Sequence, residues 1–436
     1  MVGSPPGAAD RGEAGRPPPA GELGVLPAYG GRSLPNLAAT LLARCGRTEG
    51  SAASAGPRLD PELDPTGGDR PEGPVVLVLV DGLGWPAFQR TIAADGAPGD
   101  RWLRRWGSAA RALTSVFPST TTAALTSLST GVPPGRHGIV GHRQWLPRFG
   151  VVADMLRMAP ASLPGNDTLL GPDSSRRDLT DSPTIFELGL RAAVLSRDRF
   201  VGSGFTRLLY EGAEYCPYAT ASDLAYSLAA VLRRPDPPEA VLVYWDELDT
   251  VQHLRGPDPF LVGLELERIH GLLGAVAARL SPERRRSVAL WITGDHGQVA
   301  APSAANLALD RHPPVMAELV RPPSGDRRAG YFAVRPGREA TFRERLRPLL
   351  PEATHYLEFR EALARGLFGP PPHHPELELR TGSVLVLPPA PVGLTYRAPG
   401  GALPRRPTEG AHGGLDPEEA LVPLVAGTLA ELAGER

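Results

Sequence analysis

Three short runs along the chain are apolar without alternation: VVLVLV (75–80), AVLVYW (240–245) and SVALWIT (287–293). A half-buried strand alternates apolar and polar residues, whereas an unbroken β-branched run marks a strand covered on both faces, as in a parallel sheet. Between these runs the apolar spacing turns helical, in LPNLAATLLARCG (34–46), DLAYSLAAVLRR (223–234) and LVGLELERIHGLLGAVAARL (261–280). Strands alternating with helices predict an α/β fold, with a mostly parallel central sheet and helices on both faces. Residues 306–405 change texture. There RRAGYFAVRP and GSVLVLPP read as strands and ATFRERLRPLL as a helix, which predicts a small α+β insertion, cap-like in character. The expected division is a disordered Pro/Gly-rich tail (1–23), a main domain built from 24–305 together with 406–436, and the insertion 306–405.

Composition narrows the classes. At 436 residues with 42% hydrophobic content, the chain can bury one large α/β core. A formal net charge of −2 gives no reason to expect a nucleic-acid polymer or an anionic membrane as partner. All side-chain positive charge comes from arginine, because the sequence contains no lysine. Cys45 and Cys216 are too few for a disulfide framework, which favours a reducing compartment. The N-terminus carries no apolar targeting core, and no run approaches the roughly 18 apolar residues of a membrane span. The expectation is a soluble, cytoplasmic protein.

Chemistry gathers where the strong strands stop. VVLVLV runs into Asp81-Gly82, AVLVYW into Asp246-Glu247-Leu248-Asp249 with His253 four residues on, and SVALWIT into Gly294-Asp295-His296-Gly297. In open parallel sheets, ligands bind at the carboxyl ends of strands. One Asp after a strand is commonly a turn residue or helix cap. Three strands ending this way, two with a histidine, point instead to a shared site. Carboxylate with imidazole suits divalent metals such as Zn²⁺ or Mn²⁺. His412, in the Gly-flanked loop EGAHGGLDPEE, reads alone as a surface histidine and gains weight from the set it would join. One further stretch, FPSTTTAALTSLSTG (117–131), carries four consecutive hydroxyls, at 119–122, before an Ala/Leu helix with Gly131 as its stop.

Taken in order, DG after the first strand, FPSTT before a helix, DTVQHLRGP, GDHG and AHGGL resemble the alkaline phosphatase superfamily, and within it the type I phosphodiesterase/nucleotide pyrophosphatase family. The resemblance runs from Asp81 to His412. It implies two divalent metal ions, one held by Asp249, His253 and His412, the other by Asp81, Asp295 and His296, with the nucleophile's oxygen beside the second. Three aspartates and one alkoxide would balance two such ions. The family pattern places the nucleophilic Thr three residues after the Pro and ten before the Gly of a Thr-Gly pair. Counting from Pro118 and from Gly131 both give Thr121. At or near the start of a helix, a phosphoryl group on Thr121 would meet free backbone N–H groups and the positive end of the helix dipole.

The implied activity is therefore a metal-dependent phosphohydrolase acting on small phosphorylated, nucleotide-type substrates through a phosphothreonine intermediate. One departure stands out. The family pattern carries Asn three residues after the nucleophile, and here that position is Ala124. Arg136 and His142 are the candidate replacements for binding the phosphate. Phosphomonoesterase and phosphonate hydrolase chemistry on the same scaffold remain open, as does a non-catalytic metal- or nucleotide-binding protein. A sulfatase is disfavoured, since it needs Cys or Ser at the nucleophile position.

Overall fold

The fold was derived from a computed structural model that describes residues 21–44, 55–67, 72–94, 107, 109–169, 176–398 and 406–432. Most of the expected N-terminal tail, and Cys45, lie outside these residues. Two seven-stranded sheets organise the chain. The strands, in chain order, are β1 (Val75–Val80), β2 (Arg111–Thr114), β3 (Arg143–Leu146), β4 (Val151–Asp154), β5 (Ala159–Pro160), β6 (Ala192–Arg197) and β7 (Glu214–Tyr218). They continue as β8 (Ala240–Trp245), β9 (Ala289–Gly294), β10 (Ser324–Asp326), β11 (Ala329–Phe332), β12 (His355–Glu358), β13 (Val384–Leu387) and β14 (Leu421–Thr428).

The central sheet has the order β2-β14-β9-β1-β8-β6-β7. Strands β1, β6, β7, β8 and β9 pair in parallel, and β14 runs antiparallel to both its neighbours. The α/β expectation of a mostly parallel sheet with helices on both faces is met, as β1 makes plain. Its odd residues, Val75, Leu77 and Leu79, join one apolar core with helices α1 (Leu34–Arg44) and α2 (Thr121–Thr130). Its even residues, Val76, Val78 and Val80, join a second core with helices α3 (Ala221–Leu232) and α4 (Pro259–Ala277). A strand buried on both faces has no polar face to alternate, which is why the run reads as unbroken apolar sequence.

Strand β14 lacks that signature because it carries Pro423 between two neighbours. Proline cannot donate to a sheet ladder. Pairing with β9 begins only at Leu424, and Pro423 lies opposite Ala112 of the edge strand β2, where no second ladder requires its N–H.

The second sheet is antiparallel throughout, in the order β12-β13-β11-β10-β3-β4-β5. It joins strands from 324–387 to strands from 143–160, and encloses its own apolar cores around Phe368 and Phe342. No helix among the described residues is long and apolar enough to cross a membrane.

Candidate active site

Register puts the acids side by side. Val80 at the end of β1 lies opposite Trp245 of β8 and Gly294 of β9, so Asp81, Asp246 and Asp295 leave three adjacent strands at one level. Asp246 turns aside into an ion network with Arg197 and Arg199. It stands before the helix Glu247–Arg255, whose first turn carries Asp249 and whose last carries His253. Gly82 lets that helix come close. It adopts φ +80°, and a Cβ there would lie 3.0 Å from the Asp249 Cα. Its N–H donates to Asp295 Oδ1 at 3.0 Å, and its carbonyl accepts from Gln252 at 2.9 Å.

The structure brings the side chains of Asp81, Thr121, Asp249, His253, Asp295, His296 and His412 together. His253 Nε2 is 3.4 Å and His412 Nε2 3.9 Å from Asp249 Oδ1. His296 Nε2 lies 3.4 Å from Asp81 Oδ1, 3.4 Å from Asp295 Oδ2 and 3.1 Å from Thr121 Oγ1. Among the described residues, two groups of three have ligand atoms within 4.8 Å of one another: Asp249, His253 and His412, and Asp81, Asp249 and His296, with Asp295 in neither. Asp249 is common to both.

These residues fit metal ions by three observations. Each histidine donates its Nδ1–H to a backbone carbonyl: His253 to Gly410, His296 to Gly297 and His412 to Ser119, at 3.0, 3.1 and 3.0 Å. That arrangement fixes the tautomer and leaves every Nε2 lone pair facing the cluster. Next, Asp81 Oδ1 and Asp295 Oδ2 are buried without a hydrogen-bond partner, a costly state for carboxylate oxygens. Finally, the charges are strained as they stand. Burial, reinforced by Asp295 and Asp249, raises the Asp81 carboxyl well above its ordinary range, and burial likewise raises Asp295. Burial, with His296 and His253 nearby, pushes His412 well below its ordinary value, so its imidazole is neutral and its nitrogen free to ligate.

The four hydroxyls separate cleanly. Ser119 Oγ donates to the Gly414 carbonyl at 2.8 Å, and Thr120 Oγ1 donates to Asp326 at 2.9 Å. Thr122 Oγ1 is buried and unpaired. Only Thr121 meets the Asp/His cluster. It is the first residue of α2, with Thr120 as the extended residue before it. The helix stops at Gly131 in the left-handed region, φ +70°. Its first ladder bond is Ala124 N–H to Thr120 O at 2.9 Å, leaving the amides before it free of helical acceptors. Ala124 itself is fully buried in the apolar core and offers the cluster no amide.

Downstream, Arg136 is half-buried on the short helix Pro134–His137. His137 is internal: its Nδ1 accepts from Ile139 N–H at 3.1 Å and its Nε2 meets Ser127 Oγ at 2.9 Å. His142 has a partly exposed ring with Nε2 3.6 Å from Asp154. Burial opposes its charge, but Asp154 and then Asp326 more than offset that and raise its pKa above the ordinary value.

Three contributors carry little sequence signal. Tyr244 donates its hydroxyl to Asp81 Oδ2 and Gln298 its amide to Asp249 Oδ1. A phenol near the end of an otherwise apolar strand is the one hint available for Tyr244. Asp326 lies more than 200 residues from its partner Thr120, so no local pattern connects them.

A family model described as type I phosphodiesterase/nucleotide pyrophosphatase matches residues 75–364. No curated protein matches by sequence. Among solved structures, murine ectonucleotide pyrophosphatase/phosphodiesterase 5 is similar, with a TM-score of 0.56 at 17% identity over 81% of this chain and 87% of its own. Phosphonoacetate hydrolase from Sinorhizobium meliloti 1021 is similar too, with a TM-score of 0.57 at 19% identity over 82% of this chain and 90% of its own. At these identities the structural likeness speaks for the fold. With the family model spanning most of the chain, including the acid-ended strands and the threonine, the protein belongs to the type I phosphodiesterase/nucleotide pyrophosphatase family, a family of hydrolases.

Proposed function

We propose that the protein is a two-metal phosphohydrolase that cleaves phosphodiester or pyrophosphate bonds of nucleotide-type substrates through a phosphothreonine intermediate on Thr121. The observation that carries this reading is the singling out of Thr121, whose Oγ1 lies 3.1 Å from His296 Nε2, itself flanked by unpartnered Asp81 and Asp295 oxygens. One ion would be held by Asp249, His253 and His412, the other by Asp81, Asp295 and His296. Three imidazoles with three carboxylates favour Zn²⁺, with Mn²⁺ the alternative. Bound divalent ions would make an alcohol nucleophilic near neutral pH and neutralise charge on phosphoryl oxygens.

This chain's own groups then do the following. Thr121 Oγ gives up its proton to solvent and forms a bond to phosphorus as the bond to the leaving oxygen breaks; the electron pair departs with that oxygen, which takes a proton from solvent. The free amides of the first turn of α2 receive the phosphoryl oxygens and the helix dipole favours their charge. Water next attacks phosphorus, the Oγ–P bond breaks and the threonine is restored. Expected outcome: Thr121→Ala abolishes turnover while its metal content, measured on the purified protein, equals that of the wild type. Retention of a few per cent of activity would overturn the nucleophile assignment.

A second reading, hydrolysis of a phosphomonoester or phosphonate, has one observation behind it. His142, 3.6 Å from Asp154, is an imidazole that could donate to the additional oxygen of such a substrate in a chain without lysine. A murine neighbour is solved with AMP and the bacterial one with phosphonoacetate, which keeps both substrate types in view. The sheet shared by 143–160 and 324–387 supports a substrate-side role for both segments and for the 306–405 insertion. Comparing rates on bis-p-nitrophenyl phosphate, p-nitrophenyl phosphate and phosphonoacetate distinguishes the readings. Diester preference upholds the first, and monoester or phosphonate preference replaces it with the second.

A further inference from the structure

Arg327 stands in the turn between β10 and β11, and no carboxylate among the described residues pairs with it. Its Nη1 donates to Thr408 Oγ1 at 2.8 Å and to the Gly410 carbonyl at 3.1 Å; its Nη2 donates to the Ala301 carbonyl at 2.7 Å and to Asn306 Oδ1 at 3.0 Å. Its Nε is buried without a partner. The residues on either side are committed elsewhere. Asp326 accepts from Thr120 Oγ1 and from the backbone N–H of His142, and Arg328 forms a buried ion pair with Glu419. Burial opposes the charge on Arg327, so a neutral donor would be the less costly choice if filling space were the task. What a guanidinium adds is a rigid fork of five donors, able to tie separate segments at fixed angles.

The decisive acceptor is the Gly410 carbonyl. The same oxygen accepts the Nδ1–H of His253 at 3.0 Å. Two residues further on stands His412. The segment between is packed tightly: Ala411 pairs with Val299, Glu409 N–H donates to the His253 carbonyl at 2.8 Å, and a Cβ on Gly410 would lie 2.5 Å from the Gln252 carbonyl. One peptide carbonyl therefore orients the ring of His253, and the strand that carries it delivers His412. The fork of Arg327 holds that carbonyl from the side of the second sheet.

We infer that Arg327 is a positioning residue for one half of the metal centre: it sets the Gly410 carbonyl, and through it His253 and His412, while leaving Asp81, Asp295 and His296 alone. The inference rests on the two-ion reading above. It also makes the turn of the second sheet a part of the site, so the insertion contributes to the ligand geometry.

Metal-free protein titrated with Zn²⁺ in a calorimeter tests this without reference to turnover. The wild type takes up two equivalents. Arg327→Met is expected to bind one equivalent with unchanged affinity and the other about 10- to 100-fold more weakly, the range typical of lost outer contacts to a ligand. In the metal-free variant, hydrogen exchange at amides 409–412 is expected to quicken relative to wild type. Two full-affinity equivalents in a folded Arg327→Met protein would overturn the inference and leave the two-ion reading standing. A wild type that binds fewer than two equivalents would overturn that reading and the inference with it. Should Arg327→Met not fold, Asn306→Ala and Thr408→Ala each remove one acceptor. Each is expected to weaken the same equivalent to a smaller degree, and unchanged affinity in both would overturn the inference equally.

Discussion

Single residues decide what the cluster can be. Gly82 is the sharpest case, since its φ of +80° and a Cβ position 3.0 Å from the Asp249 backbone leave room for hydrogen alone. Gly82→Ala is expected to push the 247–255 helix away from β1 and lower metal affinity at least tenfold, measured by titration of the metal-free protein. His137 yields a prediction about acid. Burial, with His374 and Arg380 close by, pushes its pKa down to about 3 from the ordinary 6.5. The folded chain therefore refuses a proton that the unfolded chain accepts. Its stability contribution is intact above pH 6.5 and declines as pH falls from 6.5 toward 3. His137→Gln should flatten that decline by up to about 1.4 kcal/mol per pH unit, read from urea midpoints at pH 7 and pH 5. At this scale the sequence was informative about residues and silent about partners. Asp81, Asp249, His253, Asp295 and His296 follow apolar runs and can be picked out by eye. Tyr244, Gln298 and Asp326 act on their neighbours through folding across long separations, for which a linear pattern has no sign.

Elements show why the legible part was legible. Strands β1, β8 and β9 announce themselves because parallel strands covered on both faces must be apolar throughout, and all three were expected within two residues of their observed bounds. Edge strands carry weaker signals. Strand β7, EYCPY, is only partly buried and includes a proline, while the interior strand β14 hides its role behind Pro423. Helix α2 combines both situations: its Gly131 stop is plain, while its start depends on which hydroxyl turns inward. Gly131→Ala would force a side chain into the left-handed region, with its Cβ 3.1 Å from that of Ala55. The expected cost is about 1–2 kcal/mol, measured by urea denaturation. Such a loss reports on the element that presents Thr121, and should leave the metal content of the folded fraction unaltered.

At the level of the whole molecule, the proposed metal centre gathers residues from Asp81 to His412, and stability should depend on ions accordingly. Three aspartates gathered within a few ångströms repel one another when nothing divalent neutralises them. Chelation is expected to lower the melting temperature, and added Zn²⁺ to restore it. An ion present at 1,000 times its dissociation constant stabilises by about 4 kcal/mol. An unchanged melting temperature after complete chelation would contradict this. The strand order has another consequence. Strand β2, which leads directly into the loop bearing Thr121, touches the rest of its sheet only through β14, more than 300 residues later in the chain. During synthesis on a ribosome, β2 can meet Arg32 and Ser33 early, but its place in the sheet must wait for β14. Closing so long a loop is slow. Thr121, the proposed nucleophile, is thus fixed beside the sheet late, and a nascent chain would carry its acidic strands before that placement is complete.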